Sequence, residues 1–268
     1  MHKEPKTIPQ IDEEKAAEKI SNFIKDKLNE SRTHGLVVGL SGGLDSTTTA
    51  YLCAKAIGKD KIMGLVLPSE TTSDEDVQDA ITVAEELGIE HKIVHVDEFI
   101  EPFKELLAQS NEEYDTKLAN ANLKARIRMM ILYYHANAMK RLVVGTGNRT
   151  ELLVGYFTKY GDGGVDILPI GDLYKTDVRR LASYLNVPKS IIEKAPTAGL
   201  WAGQTDEDEL GIKYELLDKL LHLMVDKKLE DHDAAEELEI PLDEVSRIKK
   251  MVKSAEHKLK PAPIAGIR

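Results

Sequence analysis

The chain has 268 residues, 42% hydrophobic and 31% charged, which supports a substantial buried core and excludes wholesale disorder. Its 46 acidic and 36 basic residues leave a formal net charge of -10, so it lacks the positive field that draws proteins onto nucleic acid. One cysteine, Cys53, excludes an intrachain disulfide, and neither a run of about 18 apolar residues nor an apolar signal core is present; a soluble cytoplasmic protein of one domain over 1–268, with no membrane partner, is expected.

Residues 11–30 place Ala16, Ala17, Ile20, Phe23, Ile24 and Leu28 at helical spacing and predict an amphipathic helix. GLVVGL at 35–40 predicts a buried strand, 47–57 a helix, and KIMGLVL at 61–67 a second strand, which completes a β-α-β unit. A helix over 74–87, stopped by Gly88, and a strand over 91–96 repeat the pattern. A longer helix is expected over 116–139, then a fourth strand over 141–145 and a helix from about residue 150. This alternation predicts an α/β fold, a doubly wound parallel sheet flanked by helices of Rossmann-like type, with ligands beyond the carboxyl ends of the strands.

Beyond Gly155 the polar, glycine-rich stretch 159–171 reads as a long functional loop. A helix over 175–185 follows, with a short one between Pro188 and Pro196, whereas 197–211 lacks clean periodicity. The remainder is helical, with Leu216, Leu217, Leu220, Leu221 and Met224 as a core-facing stripe, and ends in a tail over about 259–268.

Gly39, Leu40, Ser41, Gly42, Gly43, Leu44, Asp45 and Ser46 spell GLSGGLDS between a buried strand and a helix, where helix N-terminal amides bind anions. The paired glycines let the backbone wrap a phosphate, and the hydroxyls of Ser41 and Ser46 add hydrogen bonds. Asp45 beside phosphates calls for a cation between them and so predicts Mg²⁺. The loop is neither GxGxxG nor GxxxxGK[ST]. GTGNRTE, after the fourth strand, brings Thr146 and Glu151 to the same rim of the sheet, where Glu151 is a second carboxylate for the metal; the helix dipole alone also favours a glutamate there. Lys175 opens a helix, a poor place for a cation unless an anion such as phosphate shares the site. Arg126 and Arg128, two apart on a helix, point different ways. Cys53 reads as a small core residue.

SGGLDS matches the SGGxDS loop of the ATP pyrophosphatase family, whose fold is adenine-nucleotide alpha-hydrolase-like. Together with GTGNRTE, GYFTKYGDGGVDILPIGDLYKT, APTAGLWAGQTDEDELG and NLKARIR, it closely resembles the ammonia-dependent NAD synthetases over about residues 11–258. That resemblance implies a carbon-nitrogen ligase making NAD from deamido-NAD, ATP and ammonia, with no glutaminase region, through an adenylated intermediate that releases pyrophosphate and AMP. It assigns ATP to residues 39–46, Thr146, Lys175 and Thr197, Mg²⁺ to Asp45 and Glu151, and deamido-NAD to Arg126, Lys159, Asp166, His257 and Lys258; the family commonly continues with Arg where this chain has Leu259. It also implies a closing loop over 200–211 and a homodimer formed through the long helix 116–139. Because ammonium must lose a proton to attack, Asp206 and Glu207 in that loop are candidate acceptors.

Overall fold

The computed structural model describes residues 8–107, 117–197, 199 and 205–266. Asp12 opens the first helix, α1 (Glu13–Ser31): its side chain accepts from Lys15 N at 3.0 Å, and Glu13 and Glu14 suit the positive end of the helix dipole. Along α1, Ala17, Ile20, Ile24 and Leu28 are buried, whereas Phe23 lies one step off that face and is exposed.

There follow β1 (Leu36–Leu40), α2 (Leu44–Ile57), β2 (Ile62–Val66), α3 (Asp74–Leu87), β3 (Glu90–Ile93), α4 (Asp97–Leu107), α5 (Lys117–Met139), β4 (Leu142–Val144) and α6 (Arg149–Val154). The C-terminal part holds α7 (Lys175–Tyr184), α8 (Lys189–Glu193), α9 (Asp206–Leu210), α10 (Tyr214–Leu221), a π turn over His222–Asp226, α11 (Asp231–Leu238) and α12 (Leu242–Leu259).

The four strands are ordered β3-β2-β1-β4, and every pair is parallel. β1 is central, in register with β2 from Leu36↔Ile62 to Leu40↔Val66 and with β4 from Leu36↔Leu142 to Val38↔Val144. The two-residue period of the strands sends Leu36, Val38, Leu40, Ile62, Val66 and Val144 into one core, shared with α1, α2, α3 and α7. Val37, Met63, Leu65 and Val143 go to the opposite core, with Ile100 of α4 and Ile127 and Ile131 of α5. Burial on both faces explains why β1, β2 and β4 read as apolar runs, whereas the edge strand β3 is largely exposed. Each fully buried aliphatic side chain contributes about 1.5–3 kcal/mol. Tyr214, Leu217, Leu220 and Leu221 of α10 centre a third core, closed by Val154 of α6, Ala234 of α11 and Val245 and Ile248 of α12.

The chain runs outward from β1 to β3 and then returns to place β4 on the other side of β1, so the order reverses between β1 and β4. Loops leaving the carboxyl ends of those two strands diverge there and leave a crevice. Both candidate motifs, 41–46 and 145–151, start at that crevice.

Several elements depart from expectation. α2 starts at Leu44 rather than residue 47, so Asp45 and Ser46 lie in its first turn. β3 ends at Ile93, although Val94 N and Val96 N still donate to Val66 O and Pro68 O, both at 2.9 Å. α4 was not anticipated, because Pro102 inside it interrupts the helical pattern. α9 sits in a stretch without periodicity; Thr205 caps it, accepting from Asp208 N at 3.2 Å, and five residues are too few to show a period. Thr116, residues 200–204 of the expected closing loop, and the tail residues Ile267 and Arg268 lie outside the described residues. Cys53 is fully buried in the first core, and burial pushes its thiol up to about 12. Among the described residues no helix is long and apolar enough to cross a membrane.

Candidate active site

After β1 the chain turns through Gly42, whose φ of +74° is the left-handed region that suits glycine. The turn packs against α3 so closely that a Cβ on Gly42 would stand 2.2 Å from Asp76 O. Ser46 Oγ donates to Gly43 O at 3.1 Å, accepts from Ser41 N at 3.2 Å and lies 3.0 Å from Ser41 Oγ. Ser41 Oγ in turn accepts from Gly43 N at 3.3 Å. The two hydroxyls thus brace the loop. Gly43 is the N-cap of α2 and supplies no side-chain cap, so the first amides of the helix face outward as an anion site does.

The segment after β4 supplies the second wall. Asn148 and Glu151 form a capping box at the start of α6: Asn148 Oδ1 accepts from Glu151 N at 3.0 Å, and Glu151 Oε2 accepts from Asn148 N at 3.2 Å. Asn148 Nδ2 also donates to Asp45 Oδ1 at 3.0 Å, which ties the two walls together. Between them lies Lys175, the first residue of α7 and only 3% exposed. Its Nζ donates to Asp45 Oδ2 and, at 3.2 Å, to Glu151 Oε1, and stands 5.1 Å from the ring centroid of Tyr214.

An anion does share the helix N-terminus with Lys175, as its position requires, but in this structure the anions are carboxylates. Asp218 of α10 adds another. It accepts from Thr150 Oγ1 at 2.5 Å and from Thr176 N at 2.8 Å, while Thr150 Oγ1 accepts from Lys175 N at 3.0 Å. Burial acts to lower the Lys175 ammonium, but Asp45 and Glu151 outweigh it and hold the group above its ordinary value. Burial pushes the Glu151 carboxyl up, with Lys175 opposing.

Asp45 and Glu151 touch one ammonium, so their oxygens converge on a single point. That is a hard, all-oxygen pair of the kind Mg²⁺ uses when phosphates and waters complete its shell. Among the described residues no group of three or more His, Cys, Asp or Glu could hold a metal ion, so these two carboxylates would serve such an ion as a pair rather than a cage.

The two candidate proton acceptors part company. Glu207 Oε1 accepts from Tyr214 N at 3.0 Å and so caps α10. Asp206 is 4% exposed, accepts from Tyr214 Oη at 3.2 Å and faces Lys175, with its carboxyl raised chiefly by burial. Thr146 sits half-buried at the mouth of β4. Thr197 Oγ1 accepts from Gly199 N at 3.1 Å, and Thr71 Oγ1 donates to Gly199 O at 2.9 Å, so Gly199 meets the loop after β2.

A second group gathers where α12 meets the turn after α6. Lys258 Nζ donates to Gly155 O at 2.7 Å and Phe157 O at 2.8 Å. Lys159 Nζ donates to His257 O at 2.5 Å, and the exposed Arg126 reaches Lys159 O at 3.4 Å. An open groove of about 380 Å³ lies here, lined by Val154, Gly155, Lys250, Met251, Ser254, Ala255, His257 and Lys258. Asp166 stands apart from this group at the sheet edge, where it accepts from Val143 N at 2.7 Å and Tyr133 Oη at 3.0 Å.

Four residues of the first group were not anticipated. Asn148 was legible, because Asn three residues before Glu is a capping-box signal. Thr150, Tyr214 and Asp218 left no signal, since their contacts join distant segments. Arg128 is half-buried: its Nε donates to Leu67 O at 2.9 Å and its Nη2 to Ser69 Oγ at 3.3 Å.

A parallel sheet that presents a braced glycine-serine loop and a carboxylate pair at its switch point defines a nucleotide-binding protein of the doubly wound α/β class. The family model described as NAD synthase matches residues 16–262. The chain belongs to that family. It is 49% identical over 256 residues, 95% of this chain and 98% of the relative, to the NH(3)-dependent NAD(+) synthetase of Archaeoglobus fulgidus. Among solved structures it resembles the NMN synthetase of Francisella tularensis, with a TM-score of 0.83 and 36% identity over 96% of this chain and all of that one. It also resembles the NH3-dependent NAD synthetase of Campylobacter jejuni in complex with the nitrate ion, with a TM-score of 0.79 and 29% identity over 95% of this chain and 99% of that one.

Proposed function

We propose that this chain joins ammonia to the nicotinate carboxylate of deamido-NAD while ATP is split to AMP and pyrophosphate, forming NAD in a cytoplasmic, single-domain enzyme. The observation that carries this reading is the convergence of Asp45, Glu151 and Lys175 beside the outward-facing N-terminus of α2. In a family of NAD synthases, that is where a triphosphate and its counter-ions belong. The 39–46 loop, Thr146, Lys175 and Thr197 hold ATP; Asp45 and Glu151 hold Mg²⁺, which when bound offsets charge building toward the leaving pyrophosphate.

The chemistry needs no protein nucleophile. The substrate carboxylate attacks the α-phosphorus, pyrophosphate leaves, and ammonia displaces AMP from the acyl adenylate. The loop amides and Lys175 stabilise the growing charge, and the rigid frame of α2, α6 and α7 positions it. Asp206, buried beside Lys175, is the better placed of the two candidates to take the ammonium proton, because Glu207 is engaged in capping α10. Arg126, Lys159, Asp166, His257 and Lys258 serve deamido-NAD in this reading; the grouping of all but Asp166 around the 155–160 turn supports a single binding surface for part of that ligand.

Incubation with ATP, Mg²⁺, deamido-NAD and ammonium is expected to yield NAD, AMP and pyrophosphate in equal amounts. ATP binding without NAD formation would overturn the assignment. The likeness to an NMN synthetase makes the mononucleotide the competing acceptor. Replacing deamido-NAD by nicotinate mononucleotide in the same assay discriminates the two, and faster turnover of the mononucleotide would favour the second reading.

The working form in this proposal is a homodimer joined through α5. That helix exposes Leu118, Met130 and Tyr134, at 66%, 50% and 72%, and α4 beside it exposes Phe99 and Phe103. Exposed large apolar side chains on neighbouring helices suit an association surface. Sedimentation equilibrium should return twice the 29.8 kDa chain mass; a single-chain mass at micromolar concentration would refute the dimer.

A further inference from the structure

Lys175 is the cation that now neutralises both carboxylates, Asp45 and Glu151, that a divalent ion would use. Its Nζ bonds to Asp45 Oδ2 and stands 3.2 Å from Glu151 Oε1, and the three side chains are 3%, 17% and 15% exposed. Mg²⁺ binds oxygen at about 2.0–2.1 Å. An ion held by these two carboxylates would compete with the ammonium for their charge, and the two cations would repel at close range in a poorly solvated site. Withdrawing the ammonium with nothing in its place would leave paired buried carboxylates uncompensated. The lysine can leave at low cost only when new anions arrive for it and a new cation arrives for the carboxylates. A nucleotide triphosphate with its metal supplies both at once.

We propose that Lys175 is a placeholder cation: it neutralises Asp45 and Glu151 until metal and ATP enter together and then transfers to phosphate, so that neither binds well without the other. This rests on the reading of Asp45 and Glu151 as metal ligands. Several contacts support a designed resting place. Lys175 N is fixed by Thr150 Oγ1 at 3.0 Å, the next amide is capped by Asp218 at 2.8 Å, and the Tyr214 ring lies 5.1 Å from Nζ. The helix start is anchored while the side chain, with four rotatable bonds, can swing. Because coupling between two ligands is reciprocal, the lysine that excludes free metal also strengthens the preference for the metal–nucleotide complex.

Binding of Mn²⁺ as a spin probe, read by the loss of the free-ion electron paramagnetic resonance signal, tests this without turnover. Wild type alone is expected to bind Mn²⁺ weakly and, with a non-hydrolysable ATP analogue, tightly. Lys175→Met should bind Mn²⁺ without nucleotide roughly tenfold or more tightly than wild type, and the gain in Mn²⁺ affinity brought by the analogue should shrink by a similar factor. Lys175→Gln serves as a second variant should the methionine form fail to fold. Equal or weaker Mn²⁺ binding by a folded variant overturns the placeholder, as does tight Mn²⁺ binding by nucleotide-free wild type. Asp45→Asn with the analogue present separates the two levels: if it binds Mn²⁺ as wild type does, the metal assignment itself fails.

Discussion

Asp45→Asn is expected to lower turnover by roughly a hundredfold or more while leaving the fold intact. The asparagine keeps the size of the side chain and one acceptor oxygen but removes the charge that would hold the cation beside the phosphates. Stability should change little, for a reason visible in the charge balance. Lys175 faces Asp45, Glu151 and, more remotely, Asp206. Removing one negative charge from that set leaves the buried lysine still paired with Glu151 at 3.2 Å. A thermal melt within a few degrees of wild type, alongside a collapse in NAD formation at saturating ATP, is the expected pair of results. Activity at the wild-type level would remove Asp45 from the mechanism, and a lost fold would assign it to structure instead.

The second large effect is steric. Gly42→Ala places a Cβ 2.2 Å from Asp76 O, a backbone atom of α3, at a residue whose φ of +74° disfavours any L side chain. Strain in the left-handed region and overpacking together should cost about 2–4 kcal/mol. The melting temperature should then fall by on the order of 10 °C, with at least a tenfold loss of ATP affinity as the loop shifts. Gly43→Ala is the control. Gly43 has φ of -93°, and a Cβ there meets only Ser41 Oγ, at 3.3 Å. A mild effect at Gly43 with a severe one at Gly42 is the expected contrast, read by calorimetry and nucleotide titration. Equal effects would mean that flexibility, not the contact with α3, accounts for the paired glycines.

β1, β2 and β4 were legible because both faces of the sheet are covered there, so each reads as an apolar run that stands out from amphipathic helices, whereas β3, at the sheet edge, is largely exposed. α3 was legible to the residue, since Ser73 accepts from Asp76 N at 3.1 Å and Gly88 ends the helix in the left-handed conformation. Both signals are local. α4 is not legible because its proline contradicts the helical pattern around it, and α9 is not because a single capped turn carries no period. The loop, Glu151 and Lys175 were likewise found as candidates from local motifs: a strand-loop-helix junction, a helix start and a cation at the wrong end of a helix dipole.

Pattern along the chain thus decided the α/β class, the parallel sheet, the strand-loop-helix junction at 39–46 and the family likeness, since each rests on residues a few positions apart. Which charges meet was decided by folding. Lys175 lies 130 positions from Asp45 and 24 from Glu151, and Asp218 reaches back 68 to Thr150. Nothing local marks such partners, because an ion pair constrains distance in space and leaves sequence separation free. The same holds for Asp206 and Glu207, adjacent in the chain and alike in chemistry. Only the packing of α9 against α10 buries one beside the lysine and turns the other into a helix cap.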